Sequence, residues 1–131
     1  MKKNILLLLL FLISPYIFSQ NQGEIPNGIS QALKTGNSKE LVKYFNDNVE
    51  MVILDEEGIY SKTQAEMILK DFFSKNQPKS FSLLHQGGKT DAKYGIGNLV
   101  AAGDSFRVYF LLKIKGGNTL IHQFRIEKEN E

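Results

Sequence analysis

The order of patterns along this chain predicts an α+β fold, with N-terminal helices packed on a curved antiparallel sheet. Three observations carry that expectation. Ser61 to Asn76, SKTQAEMILKDFFSKN, combines a capping signal with an apolar stripe at helical spacing. Helical patterning also precedes it. After Pro78 the apolar residues alternate with period two, in runs separated by short glycine-containing turns, which favours an antiparallel meander. At 131 residues the chain can bury one modest core and not two.

Met1 to Ser19 is a different kind of sequence. Lys2 and Lys3 form a positive start, Ile5 to Ile13 is an unbroken apolar run, and Pro15 to Ser19 suits a cleavage region. The expectation is a signal peptide over residues 1–19, cut ahead of Gln20, and one domain over residues 20–131. That implies an exported protein, periplasmic or secreted. The alternative is an anchor left in the membrane, but the run is short for a span. No cysteine follows it, which excludes bacterial lipoprotein attachment.

Lys2 and Lys3 account for the whole formal charge of +2. The rest of the chain is balanced, so the basic pI reflects targeting, not nucleic-acid binding. Export permits disulfides, but the cysteine count of 0 excludes a disulfide, a thiol nucleophile and a zinc–thiolate site.

Gln20 to Glu24 is polar and expected to fray. Ile25 to Thr35 follows as the first helix, with Ile25, Ile29, Ala32 and Leu33 on one face and Gly36 at its end. Asn37 caps a second, short helix, with Glu40 as the expected capping-box partner and Leu41, Val42 and Phe45 as its apolar side. Val49 to Leu54 is a strand. Asp55 to Gly58 makes the turn, with Gly58 as the candidate for a positive φ, and Ile59 and Tyr60 form a very short return strand. In the main helix Ser61 is the N-cap and Gln64 its reciprocal partner. Ala65, Ile68, Leu69, Phe72 and Phe73 form the buried stripe, and Pro78 discourages continuation.

Four strands follow. Ser80 to Gly87 alternates through Phe81, Leu83 and His85, with Gly87 and Gly88 as a turn. Ala92 to Ala102 places Tyr94, Ile96, Asn98 and Val100 on one face and Gly95, Gly97, Leu99 and Ala101 on the other. Glycines within a strand mark a bend, a bulge or a close approach by another element. Ser105 to Lys115 carries Phe106, Val108, Phe110, Leu112 and Ile114 together. Gly116 to Asn118 closes a hairpin into Thr119 to Glu127, where Leu120, His122, Phe124 and Ile126 share a face.

Two helices, a short hairpin, a third helix and four long antiparallel strands is the order of a cystatin-like roll, in which a curved sheet wraps the helices into a cone. The chain resembles the nuclear transport factor 2-like superfamily, which holds ketosteroid isomerase-like and polyketide cyclase-like enzymes and many proteins without activity. More closely, it is similar to an uncharacterised family of small exported Bacteroidetes proteins assigned to that roll. The resemblance rests on GNSKELVKYF, YSKTQAEMILKDFF, the His85-Gln86-Gly87-Gly88 turn, Tyr94-Gly95-Ile96-Gly97 and Phe106-Arg107-Val108-Tyr109. It implies a fold and an exported location, and no known chemistry.

The catalytic candidates are few and weak: Tyr94, His85 and His122. His85 and His122 have the apolar-facing parity of their strands. They are either structural histidines, partly buried or at a strand edge, or one of them stands in the mouth of the cone, where an imidazole suits acid–base work. Tyr94 shares the parity of Ile96 and Val100 and is expected to point into the roll, where its hydroxyl can stabilise an oxyanion. The carboxylate an isomerase needs is missing, because Asp91 and Asp104 lie in turns and no Asp or Glu has inward parity within a long strand. Asp55, Glu56 and Glu57 lack the alternating ligands of an EF-hand loop, and two histidines without a third ligand make a poor metal site. No metal and no cofactor is expected. The glycine-rich turns do not spell a phosphate loop.

Parity leaves Arg107, Tyr109, Leu111, Ile121, Gln123 and Arg125 on the opposite face of the last two strands. Tyrosine and arginine are common interface residues, so this face is the candidate docking surface, for a homodimer or a protein partner. The sequence therefore favours an exported, non-enzymatic domain that binds a partner or a small apolar ligand. The alternative is a small enzyme of the ketosteroid isomerase-like or polyketide cyclase-like type acting on an apolar substrate. An interior holding Tyr94 beside a titratable group favours the enzyme; an interior filled by Phe72, Phe73, Phe106 and Phe110 favours the binding domain.

Overall fold

A computed structural model describes residues 25–129. The signal peptide expected over residues 1–19 lies outside the described residues.

Helix α1, Asn27–Thr35, buries Ile29, Ala32 and Leu33. It ends at Gly36, whose φ of 68° is left-handed, and the Asn37 amide then reaches back to the Ala32 carbonyl at 2.9 Å. A Cβ on Gly36 would also lie 2.9 Å from Cδ of Pro78, so both conformation and space call for glycine. Asn37 caps the one-turn helix α2, Ser38–Leu41, by accepting the Glu40 amide at 3.0 Å. The Glu40 carboxylate accepts from Lys43 at 2.9 Å instead of closing a capping box.

A 3-10 turn over Val42–Tyr44 then leads into strand β1, Phe45–Ile53, four residues earlier than the pattern suggested. Strand β2 spans Glu56–Ser61. The turn between them is Leu54 and Asp55, and Leu54, not Gly58, takes the positive φ of 56°. A two-residue connection fits the twist of a hairpin. Glu56 and Glu57 therefore pair with β1 in the ladder, and Gly58 sits opposite Met51.

Helix α3, Lys62–Lys75, forms as expected. Ser61 Oγ accepts the Gln64 amide at 3.2 Å, and Gln64 Oε1 accepts the Ser61 amide at 3.0 Å. Its buried side is Ala65, Leu69, Phe72 and Phe73. Strands β3, Pro78–Lys89, β4, Ala92–Ala101, β5, Asp104–Lys115, and β6, Asn118–Lys128, make the antiparallel meander. Strand β3 runs through Gly87 and Gly88, so its hairpin turns at Thr90 and Asp91.

The strands form one six-stranded sheet in the order β2-β1-β6-β5-β4-β3. This corrects the expected cystatin-like roll with its curved antiparallel sheet. The sheet is mixed, because β1 lies parallel to β6. It is also open, neither closed nor strongly curled, with β2 and β3 as its two edges. Strand periodicity reports which face of a strand is buried. It says nothing of which distant strands become neighbours, and the β1–β6 pairing joins the first and last strands. The fold remains α+β, with N-terminal helices: α1 packs on β3, and α3 on β1 and β2.

Between helices and sheet lies an aromatic core. Phe72 meets Phe106 edge-on at 5.3 Å, Phe45 meets Phe124 at 5.4 Å, and Phe110 stacks on Phe124 at 6.5 Å. On β4 the inward residues are Gly95, Gly97, Leu99 and Ala101, all buried. A Cβ on Gly95 would lie 2.6 Å from Cζ of Phe110, and the Phe81 ring occupies the same space at Gly97. Two rings thus use the gaps left by two glycines. This reverses the inward orientation assigned to Tyr94.

Candidate interaction face

The helices cover one face of the sheet, and most of the functional candidates lie on the other. Side chains on directly paired residues project from the same face, so the registers assemble the surface strand by strand. One row runs from edge to edge as Glu57, Val52, Arg125, Tyr109, Ile96 and His85. The next runs as Ile59, Glu50, Gln123, Leu111, Tyr94 and Gly87. Val52, Tyr94, Ile96, Tyr109, Leu111 and Gln123 are half-buried against their neighbours, while Ile59 is 70% exposed. The β5–β4 part of the face is apolar and aromatic, with charged and polar groups on the strands to either side.

Tyr94 lies close over the neighbouring strand. A Cβ on Gly87 would stand 3.0 Å from its Oη and 3.2 Å from its ring carbons. Towards the other edge, Glu50, Val52, Glu57, Ile59, Gln123 and Arg125 line a shallow groove of about 220 Å³. Arg125 pairs with Glu127 at 3.6 Å and Arg107 with Glu129 at 3.2 Å, both in exposed geometry. Such pairs contribute about 0–1 kcal/mol each and leave the guanidinium groups available to a partner.

Of the expected docking residues, Arg107, Tyr109, Leu111, Gln123 and Arg125 stand on this face. Ile121 does not: it is fully buried. The cause is a bulge in β6. Leu111 pairs with Gln123, but Leu112 pairs with Ile121, leaving His122 as the extra residue between them. Parity reverses across a bulge, so Ile121 joins the core and Leu120 moves opposite Lys113. Tyr94, Ile96, Val52 and Ile59 belong to the face and were not among the residues expected there. The signal for the first two was the Gly95/Gly97 pair, since inward glycines on β4 send the intervening side chains outward.

The three catalytic candidates are not brought together inside the fold. His85 is exposed on edge strand β3, beyond the interior. Tyr94 shares its face as a diagonal neighbour. His122 sits at the β6 bulge, where partial burial, and then the charges of Lys113 and Lys115, hold its imidazole below the ordinary value. Phe72, Phe73, Phe106 and Phe110 are all buried and fill the space beneath the helices. Among the described residues, no group of three or more histidine or acidic side chains could hold a metal ion. No described helix is long and apolar enough to cross a membrane.

Fold and surface define an α+β domain with helices on one side of an open mixed sheet. Residues 26–127 match the family described as Domain of unknown function (DUF4783), and the chain belongs to that family. A DUF4783 protein from Bacteroides ovatus shares 39% identity at a TM-score of 0.77, over 82% of this chain and 98% of that one. Another, from Bacteroides uniformis, shares 36% identity at 0.77, over 82% and 100%. A related fold recurs in a Nostoc punctiforme domain of unknown function described as having a cystatin-like fold. That domain shares 5% identity at a TM-score of 0.65, over 80% of this chain and 73% of that one. No curated protein matches the chain in sequence.

Proposed function

We propose that this is an exported, non-enzymatic interaction domain whose working surface is the helix-free face of the sheet, and that a second copy of the chain docks there. One observation carries the reading: Tyr109, Leu111, Tyr94 and Ile96 lie side by side on β5 and β4 of that face, with none of the chain's described helices over them. Contiguous apolar surface of this kind marks interaction sites in soluble proteins. Self-pairing through one surface produces a two-fold contact. The aromatic filling of the interior supports docking over a reaction on an apolar substrate, because the rings occupy the volume a substrate would need. Export rests on the order of Met1 to Gln20, basic, then apolar, then polar.

The test is to replace Tyr109 and Leu111 together by Ser. Both are only half-buried, so the variant is expected to keep its circular dichroism spectrum and fold cooperatively. It should sediment as a monomer where the unaltered protein associates. A variant that associates as well as the unaltered protein overturns the reading.

A further inference from the structure

The reading that two copies meet on this face leaves open how they meet, and the charge pattern of the face favours one arrangement. The row Glu57, Val52, Arg125, Tyr109, Ile96, His85 has a carboxylate at one end and an imidazole at the other. Its middle sets a guanidinium beside a phenol, flanked by two apolar side chains. The second row has Glu50 near one edge and Tyr94 near the other, with Gln123 and Leu111 between them. Acidic groups thus lie on the β2–β1 side. Their counterparts on the β4–β3 side are an imidazole, a phenol and apolar groups.

Two sheets can stack face to face about a two-fold axis lying across the strands or along them. An axis across the strands puts every strand over its own copy. Glu57 and Glu50 would then lie over the partner's acidic side wherever the axis falls along the strands, and an axis under the first row would also set Arg125 on the partner's Arg125. Like charges brought together in this way oppose association. An axis along the strands, placed between β5 and β6, reverses the strand order of the upper sheet. Glu57 then falls over the partner's His85, Val52 over the partner's Ile96, and Arg125 over the partner's Tyr109. Each contact occurs twice, as an isologous interface requires. The imidazole N–H donates to the carboxylate, the guanidinium lies on the phenol ring, and the two aliphatic side chains close the space between.

We propose that this chain dimerises face to face with the two-fold axis parallel to the strands between β5 and β6, so that the β2–β1 side of each copy covers the β4–β3 side of the other. Packed sheets keep their strands within about 30° of each other, so the match is closest at Arg125 and Tyr109 and looser towards the edges.

Charge reversal and cross-linking test the arrangement separately from dimerisation itself. Sedimentation equilibrium of the unaltered protein comes first, and a monomer there overturns the docking reading and this one together. With a dimer present, Glu57→Arg and His85→Glu should each weaken it about tenfold or more. The double variant carrying both changes should return to within about threefold of the original. Both side chains are exposed, so neither change disturbs the core. A double variant at least as weak as the single ones overturns the arrangement while leaving the dimer standing.

The chain contains no cysteine, so introduced thiols are unambiguous. Val52→Cys together with Ile96→Cys should be joined between chains by a short bis-maleimide, giving a dimer band on a denaturing gel. Val52→Cys alone should not be joined, because the two copies of position 52 stand three strand spacings apart, about 14 Å, in addition to the gap between sheets. Cross-linking of Val52→Cys alone, or none in the double variant of a dimeric protein, overturns the arrangement.

Discussion

Gly95 and Gly97 carry no side chain at the two places where Phe110 and Phe81 press against β4. Gly95→Ala should destabilise the fold by about 1–3 kcal/mol through overpacking, measured by urea melts. The same substitution at Gly103, where an added Cβ meets nothing within 4 Å but φ is 82°, tests backbone strain without crowding. Ile121 gives the sharpest check of the β6 bulge. Because it is fully buried, Ile121→Ala should cost about 2–5 kcal/mol. A loss near zero would return it to the outer face and remove the bulge. His122 supplies a pH test. Its pKa is lowered in the folded state from the ordinary 6.5, so the unfolded chain takes up a proton first. Stability contributed by the neutral imidazole is full above that pH. It falls as pH drops below about 6.5 towards the folded value. His122→Gln should flatten that part of the pH dependence, seen as a smaller shift of urea midpoint between about pH 7.5 and pH 5.5.

Helix α3 is fixed by local chemistry, and its ends, cap and buried stripe were all evident in its residues. Ser61→Ala should cost about 0.5–2 kcal/mol by removing the acceptor of the Gln64 amide. Phe72→Ala should cost about 3–5 kcal/mol, because its ring is buried against Phe106. Urea melts separate the two. Near-zero loss at Phe72 would mean the helix does not pack on the sheet. The strands were evident as strands for the same reason, since alternation is a local signal. Their faces were less so. On β6 one extra residue, His122, reverses the parity of Ile121 and Leu120, and nothing in the alternation marks where a bulge falls. On β4 the larger side chains drew the inward assignment to Tyr94 and Ile96. The core instead takes the glycines, because its space there belongs to rings from β5 and β3. The β1–β2 turn moved to Leu54 because pairing Glu56 and Glu57 with β1 lengthens the ladder, a gain that lies in the partner strand.

The whole molecule is set by one pairing that local patterns do not contain, β1 parallel to β6. It makes the sheet mixed and open, and it brings Glu50 and Val52 beside Gln123 and Arg125. The proposed docking face was therefore visible in part: Arg107, Tyr109, Leu111, Gln123 and Arg125 follow from the last hairpin alone. The β1 and β2 contribution depends on strands far apart in the chain. The proposed export is a separate matter, and on that proposal the mass of the protein recovered from the periplasmic fraction should correspond to a start at Gln20. A mass that includes Met1 to Ser19 would contradict cleavage. The docking face is tested most directly by sedimentation equilibrium of the unaltered protein over a wide concentration range. The account predicts a reversible monomer–dimer equilibrium with the dimer dominant at high concentration. A protein that stays monomeric throughout would contradict it.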